Sequence, residues 1–233
     1  MKKFAFIGAG SLQFTSSCVR DLLTFPAFKE SEFALMDIDE DNLKNIVKVV
    51  ERIIDNMDCH NCKITATTDR AEALKNADGV LCTVFNGDVD IWQYDILIPK
   101  KYGIDINVGD TRSVSGIFRA LRNIPLMLEI CNDIEKYCPN AVFLNYTNPM
   151  SMLCGAMQKY SNVEVTGLCH SVQLTIQMLS EWLDVPAEEE AHADAVEHGH
   201  GGGFGRREPA EHDAAHDDGG GQQSRACVIE LAE

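Results

Sequence analysis

The sequence predicts an α/β fold, a mostly parallel sheet with helices on both faces, from three observations. Short apolar runs alternate with helical periodicity along the first 186 residues. The runs read as buried strands, because they are continuous rather than alternating. A glycine turn, Gly8-Ala9-Gly10-Ser11, stands directly between the first strand and the first helix.

The elements follow in order. Phe4–Ile7 is the first strand and residues 12–25 the first helix. Phe33–Met36 is a strand ending at Asp37, and residues 40–57 a helix with Leu43, Ile46, Val47, Val50 and Ile54 on one face. Ile64–Thr67 is the third strand, Asp69–Lys75 a short helix, and Val80–Val84 the fourth strand. A helix over 91–101, a short strand over 104–108 and the loop Gly109-Asp110-Thr111-Arg112 come next. A helix over 116–137 carries Pro125, which either kinks it or starts a new one. Ala141–Leu144 is a strand, Pro149 opens a helix to about 159, Val163–Leu168 is a strand, and 171–183 a helix.

The glycine turn reads as a dinucleotide site of Rossmann type. Gly8 makes the tight turn, and Gly10 lets the backbone approach a pyrophosphate. Ser11 opens a helix whose N–H groups face the phosphates. Phe14 and Thr15 occupy the neighbourhood of the usual third glycine. Asp37, at the end of the second strand, is placed to accept both ribose hydroxyls and to repel a 2′-phosphate, so NAD is favoured over NADP. Asp39 is the alternative. Asn86, after the fourth strand, sits where the nicotinamide half approaches, or merely forms a turn with Gly87.

The formal charge of −16, from 36 acidic and 20 basic side chains, argues against nucleic acid and anionic membrane as partners. No apolar stretch is long enough to span a membrane. Nine cysteines without a secretory signal read as reduced cytoplasmic thiols. Cys59 and Cys62 form a Cys-x-x-Cys pair without the rest of a zinc site.

Composition changes near residue 187. Residues 187–233 hold eight glycines, five histidines and twelve acids, with Phe204 the only aromatic. Such a tail has too little apolar surface to offset its ordering entropy, and is expected to be disordered. The expected organisation is therefore a cofactor domain over 1–186 and an atypical tail over 187–233.

Three ordered motifs add a resemblance: Gly109-Asp110-Thr111-Arg112, Asn145-Tyr146-Thr147-Asn148-Pro149-Met150 and Gly167-Leu168-Cys169-His170-Ser171. Over residues 1 to about 186 the chain closely resembles glycoside hydrolase family four. The nearest subgroup is the α-galactosidases, with α-glucosidases and α-glucuronidases behind. The resemblance implies a lactate-dehydrogenase-like NAD domain followed by a substrate domain, here largely missing. It implies NAD and a divalent metal, usually Mn²⁺, redox-elimination chemistry on a small glycoside, and homo-oligomers.

By motif position, Asn148 meets the sugar hydroxyls near C2 and C3, Asn145 supports the nicotinamide side, Cys169 is a metal ligand, and His170 orients the leaving group or acts as its acid. His198 or His200 is the second metal ligand, or that ligand is absent. No tyrosine in the tail matches the family's base. Arg119 and Arg122 are placed to hold substrate or a neighbouring subunit. The alternatives are a catalytically inactive, aggregation-prone NAD-binding fragment and an ordinary 2-hydroxy-acid dehydrogenase. The Asn-Thr-Asn-Pro and Cys-His motifs speak against the dehydrogenase.

Overall fold

The computed structural model describes residues 1–87, 90–106, 109 and 113–184. The expected tail, His198 and His200 with it, lies outside these residues, as do positions 110–112 of the Asp110 loop.

Six parallel strands form one sheet: β1 (Lys3–Ile7), β2 (Glu32–Met36), β3 (Lys63–Thr67), β4 (Gly79–Cys82), β5 (Val142–Asn145) and β6 (Val165–Gly167). Their order is β3-β2-β1-β4-β5-β6. The order in which strands are added reverses between β1 and β4, the switch point where open α/β sheets bind ligands.

Both faces are covered, and the strand alternation decides by what. Phe4 and Phe6 join Phe33, Leu35 and Leu81 on one face. There they pack against α1 (Leu12–Thr24) and α2 (Glu40–Asn56) through Val19, Leu23, Ile46 and Val50. Ala5 and Ile7 point the other way, toward α3 (Arg70–Leu74), α5 (Val114–Tyr137) and α6 (Met150–Tyr160), meeting Leu74, Met127, Ile130 and Leu153. Between α3 and α5 lies α4 (Asp90–Lys101), and α7 (His170–Leu183) ends the described chain.

Helix α2 shows why these segments fold as they do. Leu43, Ile46, Val50, Ile53 and Ile54 recur at helical spacing and are buried. Each such side chain contributes about 1.5–3 kcal/mol. Asp39 caps the helix, its carboxylate accepting from the N–H groups of Asp41 at 2.8 Å and Asn42 at 2.9 Å.

Four expectations change. Ile104–Ile106 carry no strand, and 107–108 lie outside the described residues. Helix α5 runs unbroken through Pro125. Strand β4 stops at Cys82, because the Val84 N–H is taken by the Thr147 hydroxyl at 3.1 Å. Strand β6 is shorter than expected, starting at Val165.

The chain divides into two units. Residues 1–168 belong to the first, and Cys169 starts the second. Among the described residues no helix is long and apolar enough to cross a membrane.

The eight described cysteines are free. Burial pushes the thiols of Cys18, Cys82, Cys131 and Cys138 from an ordinary 9.0 up to about 11. Above pH 9 the unfolded chain loses these protons while the folded chain keeps them. Stability from this source is therefore intact below pH 9 and falls as pH rises to 11. Urea midpoints measured from pH 8 to 11 should drop, and drop less in Cys131→Ala. An identical slope in the variant would contradict this.

Candidate functional site

The site is built where the ends of β1, β4 and β5 meet. The Gly8 and Ala9 N–H groups both donate to the Met36 carbonyl, at 3.0 and 2.9 Å. This bends the chain sharply out of β1. Gly8 takes φ +82°, and a Cβ there would lie 2.8 Å from the Thr83 carbonyl oxygen. Only glycine fits this approach. Two threonines sew the three strand ends together. The Thr83 hydroxyl donates to the Gly8 carbonyl at 2.9 Å. The Thr147 hydroxyl accepts from Val84 and lies 3.8 Å from the Cys82 sulfur.

Gly10 has a further reason to lack a side chain. A Cβ at Gly10 would stand 2.6 Å from Asp37 Oδ2, so the missing side chain makes room for a carboxylate. Asp37 Oδ2 accepts from the Gly10 N–H at 2.7 Å, and Oδ1 from the Asp39 N–H at 3.0 Å. Each oxygen keeps a further acceptor site. Asp39 instead spends its carboxylate on capping α2. Where a third glycine was absent, Thr15 is buried, and its hydroxyl donates to the Ala9 carbonyl at 2.9 Å. That bond braces the turn against α1. Ser11 is the N-cap of α1 and makes no side-chain cap bond.

A cleft of about 270 Å³ opens at these strand ends. Ser11 and Phe14 line it from the first turn, Thr83, Phe85 and Asn86 from the segment after β4, and Tyr146 to Asn148 from the segment after β5. Phe14 and Tyr146 pack with ring centroids 5.6 Å apart. Trp92 of α4 and Arg119 and Asn123 of α5 complete the lining.

Asn86 is exposed, and its amide also donates to the Arg122 carbonyl at 2.9 Å. Asn148 is exposed at the cleft edge. Its Oδ1 accepts from the Met150 N–H at 3.3 Å, and its carbonyl accepts from Asn123 at 3.0 Å. The cap-like bond leaves the Asn148 amide donors available. Asn145 is fully buried, with its amide bonded to the Thr147 backbone on both sides, at 3.1 and 3.0 Å. It holds the motif loop from beneath.

Sequence reasoning named Arg119 and Arg122 for substrate or a neighbouring subunit, but passed over Asp95, which joins them in a charged wall behind the cleft. Asp95 is buried and receives both terminal nitrogens of Arg122, at 2.7 and 2.5 Å. The bond to Asp95 raises the Arg122 pKa. Arg119 is buried with its guanidinium 4.1 Å from the centre of the Trp92 ring. Burial lowers its pKa, and Arg122 lowers it further, while Asp95 opposes both. Arg122 is thus a structural partner of Asp95, and Arg119 alone of the pair lines the cleft.

Cys169 is exposed at the N-cap of α7, and His170 is the first residue of that helix; the His170 side chain lies outside the described part. Among the described residues, no three His, Cys, Asp or Glu side chains gather where they could hold a metal ion.

Replacing Thr147 by valine removes the hydroxyl and strands the Val84 N–H. Urea denaturation should show a loss of about 1–3 kcal/mol. An unchanged midpoint would mean that the hydroxyl does not tie β4 to β5.

The sequence profile of "Family 4 glycosyl hydrolase" matches residues 3–185. The α-galactosidase of Rhizobium meliloti (strain 1021) is 42% identical over 182 residues, covering 78% of this chain and 37% of the relative. The chain thus spans well under half of that enzyme. The 6-phospho-β-glucosidase of Thermotoga maritima, solved with manganese, NAD⁺ and glucose-6-phosphate, superposes with a TM-score of 0.69 at 26% identity, covering 81% of this chain and 44% of that one. The lactate dehydrogenase of Eimeria maxima shares the fold, with a TM-score of 0.55 at 19% identity over 80% of this chain and 50% of its own.

Proposed function

Because the chain belongs to glycosyl hydrolase family 4, we propose that it is the cofactor-binding part of an NAD-dependent glycosidase of the α-galactosidase type. The observation that carries this reading is the cleft at the β1/β4 switch point, lined by Ser11, Asn86 and Asn148, next to the Gly8 turn that Thr83 ties to the end of β4.

The residues fit NAD. The Gly8 bend and the uncapped start of α1 offer a cradle for paired phosphates. Asp37 keeps acceptor sites for ribose hydroxyls, and its charge disfavours a 2′-phosphate. When bound, NAD supplies reversible hydride acceptance from the sugar ring. The chain's own residues do the placing: Ser11 and the α1 N-terminus hold phosphate, Asn86 stands on the nicotinamide side, Asn145 fixes the Thr147 loop, and Asn148 donates to sugar hydroxyls.

Manganese is assigned in this proposal to Cys169, with His198 as candidate partner. The described residues do not by themselves form a metal site. The reduced thiols support a cytoplasmic location. Exposed Tyr94, Leu97, Phe118 and Leu121 support self-association, and a monodisperse monomer at micromolar concentration in ultracentrifugation would contradict it.

Calorimetry is expected to show saturable NAD binding and at least about tenfold weaker NADP binding, with the gap closing in Asp37→Ala. A folded protein without NAD saturation would overturn the proposal. A second reading is NAD binding without turnover. Cleavage of nitrophenyl α-galactoside with NAD and Mn²⁺, lost in Cys169→Ala, would exclude it.

A further inference from the structure

The sequence contains one Asn-Gly step, Asn86-Gly87. It lies between the end of β4 at Cys82 and the start of α4 at Asp90, and both residues are exposed. Gly87 takes φ +98°, and nothing stands closer than 3.5 Å to the place of its missing Cβ. No side chain of its own shields the Gly87 nitrogen. Among the described residues, no hydrogen bond engages the Gly87 N–H.

Every other described asparagine is followed by an N–H that is occupied or absent. The N–H groups after Asn61, Asn76, Asn140 and Asn145 donate to backbone carbonyls. The asparagines of α2 and α5 precede helical N–H groups. The N–H after Asn162 donates to the Ser161 hydroxyl. Asn148 precedes Pro149, which has no N–H.

A free main-chain nitrogen directly after an asparagine is an intramolecular nucleophile within reach of the side-chain carbonyl. The Gly87 nitrogen forms a bond to Asn86 Cγ. The Cγ–Nδ2 bond breaks, and ammonia leaves with the proton that the Gly87 nitrogen gives up. The product is a five-membered succinimide. Water then opens the ring. Breaking the new bond to Cγ leaves aspartate at position 86, and breaking the original main-chain bond leaves isoaspartate.

The location gives this change a consequence. Asn86 lines the cleft, and its Nδ2 donates to the Arg122 carbonyl at 2.9 Å. A carboxylate only accepts. In the product two acceptors face each other, and the bond that ties the segment after β4 to α5 is lost. Isoaspartate also routes the main chain through an extra methylene at the same place.

We propose that Asn86-Gly87 is a self-modification site, where succinimide formation converts Asn86 to aspartate and isoaspartate and thereby weakens cofactor binding in the cleft. The consequence for binding rests on the NAD reading given above; the reaction itself does not.

The full chain is aged at mildly alkaline pH, where more of the Gly87 nitrogen is deprotonated, beside a sample kept mildly acidic. Proteolysis and mass spectrometry follow each asparagine. The Asn86 peptide is expected to gain one mass unit and to split into aspartyl and isoaspartyl forms. It should convert at least about tenfold faster than the peptides of Asn61 and Asn140, which are also exposed. Gly87→Ala, whose methyl shields the nitrogen, should slow the conversion about tenfold. Conversion of Asn86 no faster than that of the two controls overturns the proposal.

NAD is titrated by calorimetry into fresh and aged protein. Fresh protein that fails to saturate overturns the NAD reading and the consequence for binding with it, while the mass measurement still decides whether the site reacts. Aged protein is expected to bind NAD about tenfold more weakly, and fresh Asn86→Asp to weaken in the same direction. Equal affinity in fresh and fully converted protein overturns the proposal. So does aged Gly87→Ala that loses as much affinity, relative to its own fresh sample, as the aged parent does.

Discussion

Gly8→Ala is expected to abolish measurable NAD binding and to lower stability by about 3 kcal/mol. Two costs combine at this position. The backbone holds φ +82°, where a Cβ meets its own carbonyl environment at a cost of roughly 1–2 kcal/mol. The added methyl would also stand 2.8 Å from the Thr83 carbonyl oxygen, a backbone atom in the sheet that cannot move away alone. Relief requires β1 and β4 to separate at the ends that form the cleft. Gly155 provides the internal control. It lies within α6, nothing approaches within 4 Å of its virtual Cβ, and Gly155→Ala should stabilise by about 0.5–1 kcal/mol. Calorimetry and urea denaturation on both variants decide the matter. Intact NAD affinity in Gly8→Ala would show that the turn does not cradle the cofactor.

The second large effect belongs to Asp95. Asp95→Ala is expected to cost about 3–5 kcal/mol, because it leaves a largely desolvated guanidinium without its bidentate partner. Arg122→Ala should cost a similar amount, since it abandons a carboxylate whose side chain is only 3% exposed. An apolar pair of similar volume, Asp95→Leu with Arg122→Met, removes both charges together. It should recover most of the loss. Denaturation midpoints of the three variants give the coupling directly. A double variant no better than the singles would mean that the charges do more than satisfy each other.

The two sites of largest effect were not equally legible in the sequence. Gly8 was readable because its signal is local: an apolar strand, a glycine and a helix in immediate succession. The strands were readable for the same reason, and so was α2, whose apolar stripe is regular. Asp37 was placed by its position after β2. Its bond to the Gly10 N–H was not, since that contact depends on how two loops meet. Thr15 shows the limit of motif reading. A hydroxyl bonded to the Ala9 carbonyl anchors the turn where a glycine was sought, and spacing alone cannot distinguish the two.

Asp95 and Arg122 are 27 residues apart and left no pairwise pattern. One clue was available: Asp95 stands four residues before Pro99, on the buried side of α4, where a carboxylate demands a cation. Arg119 had a similar clue, lying between Ser115 and Asn123 on the buried face of α5. Strand ends at β4 and β6 were misplaced because side-chain hydroxyls and loop carbonyls, rather than strand propensity, decide where pairing stops.

Of the six strands, the one that leaves the ribosome first is also flanked on either side by later arrivals. By residue 67 the nascent chain holds β1, β2 and β3 with the two helices that cover one side, enough to assemble half the sheet locally. The other edge of β1 must stay open until Gly79–Cys82 emerges, and the nucleotide crevice cannot exist before then. Synthesis therefore produces the half of the sheet that carries the Gly8 turn well ahead of the half that closes it, with a bare backbone edge between the two events.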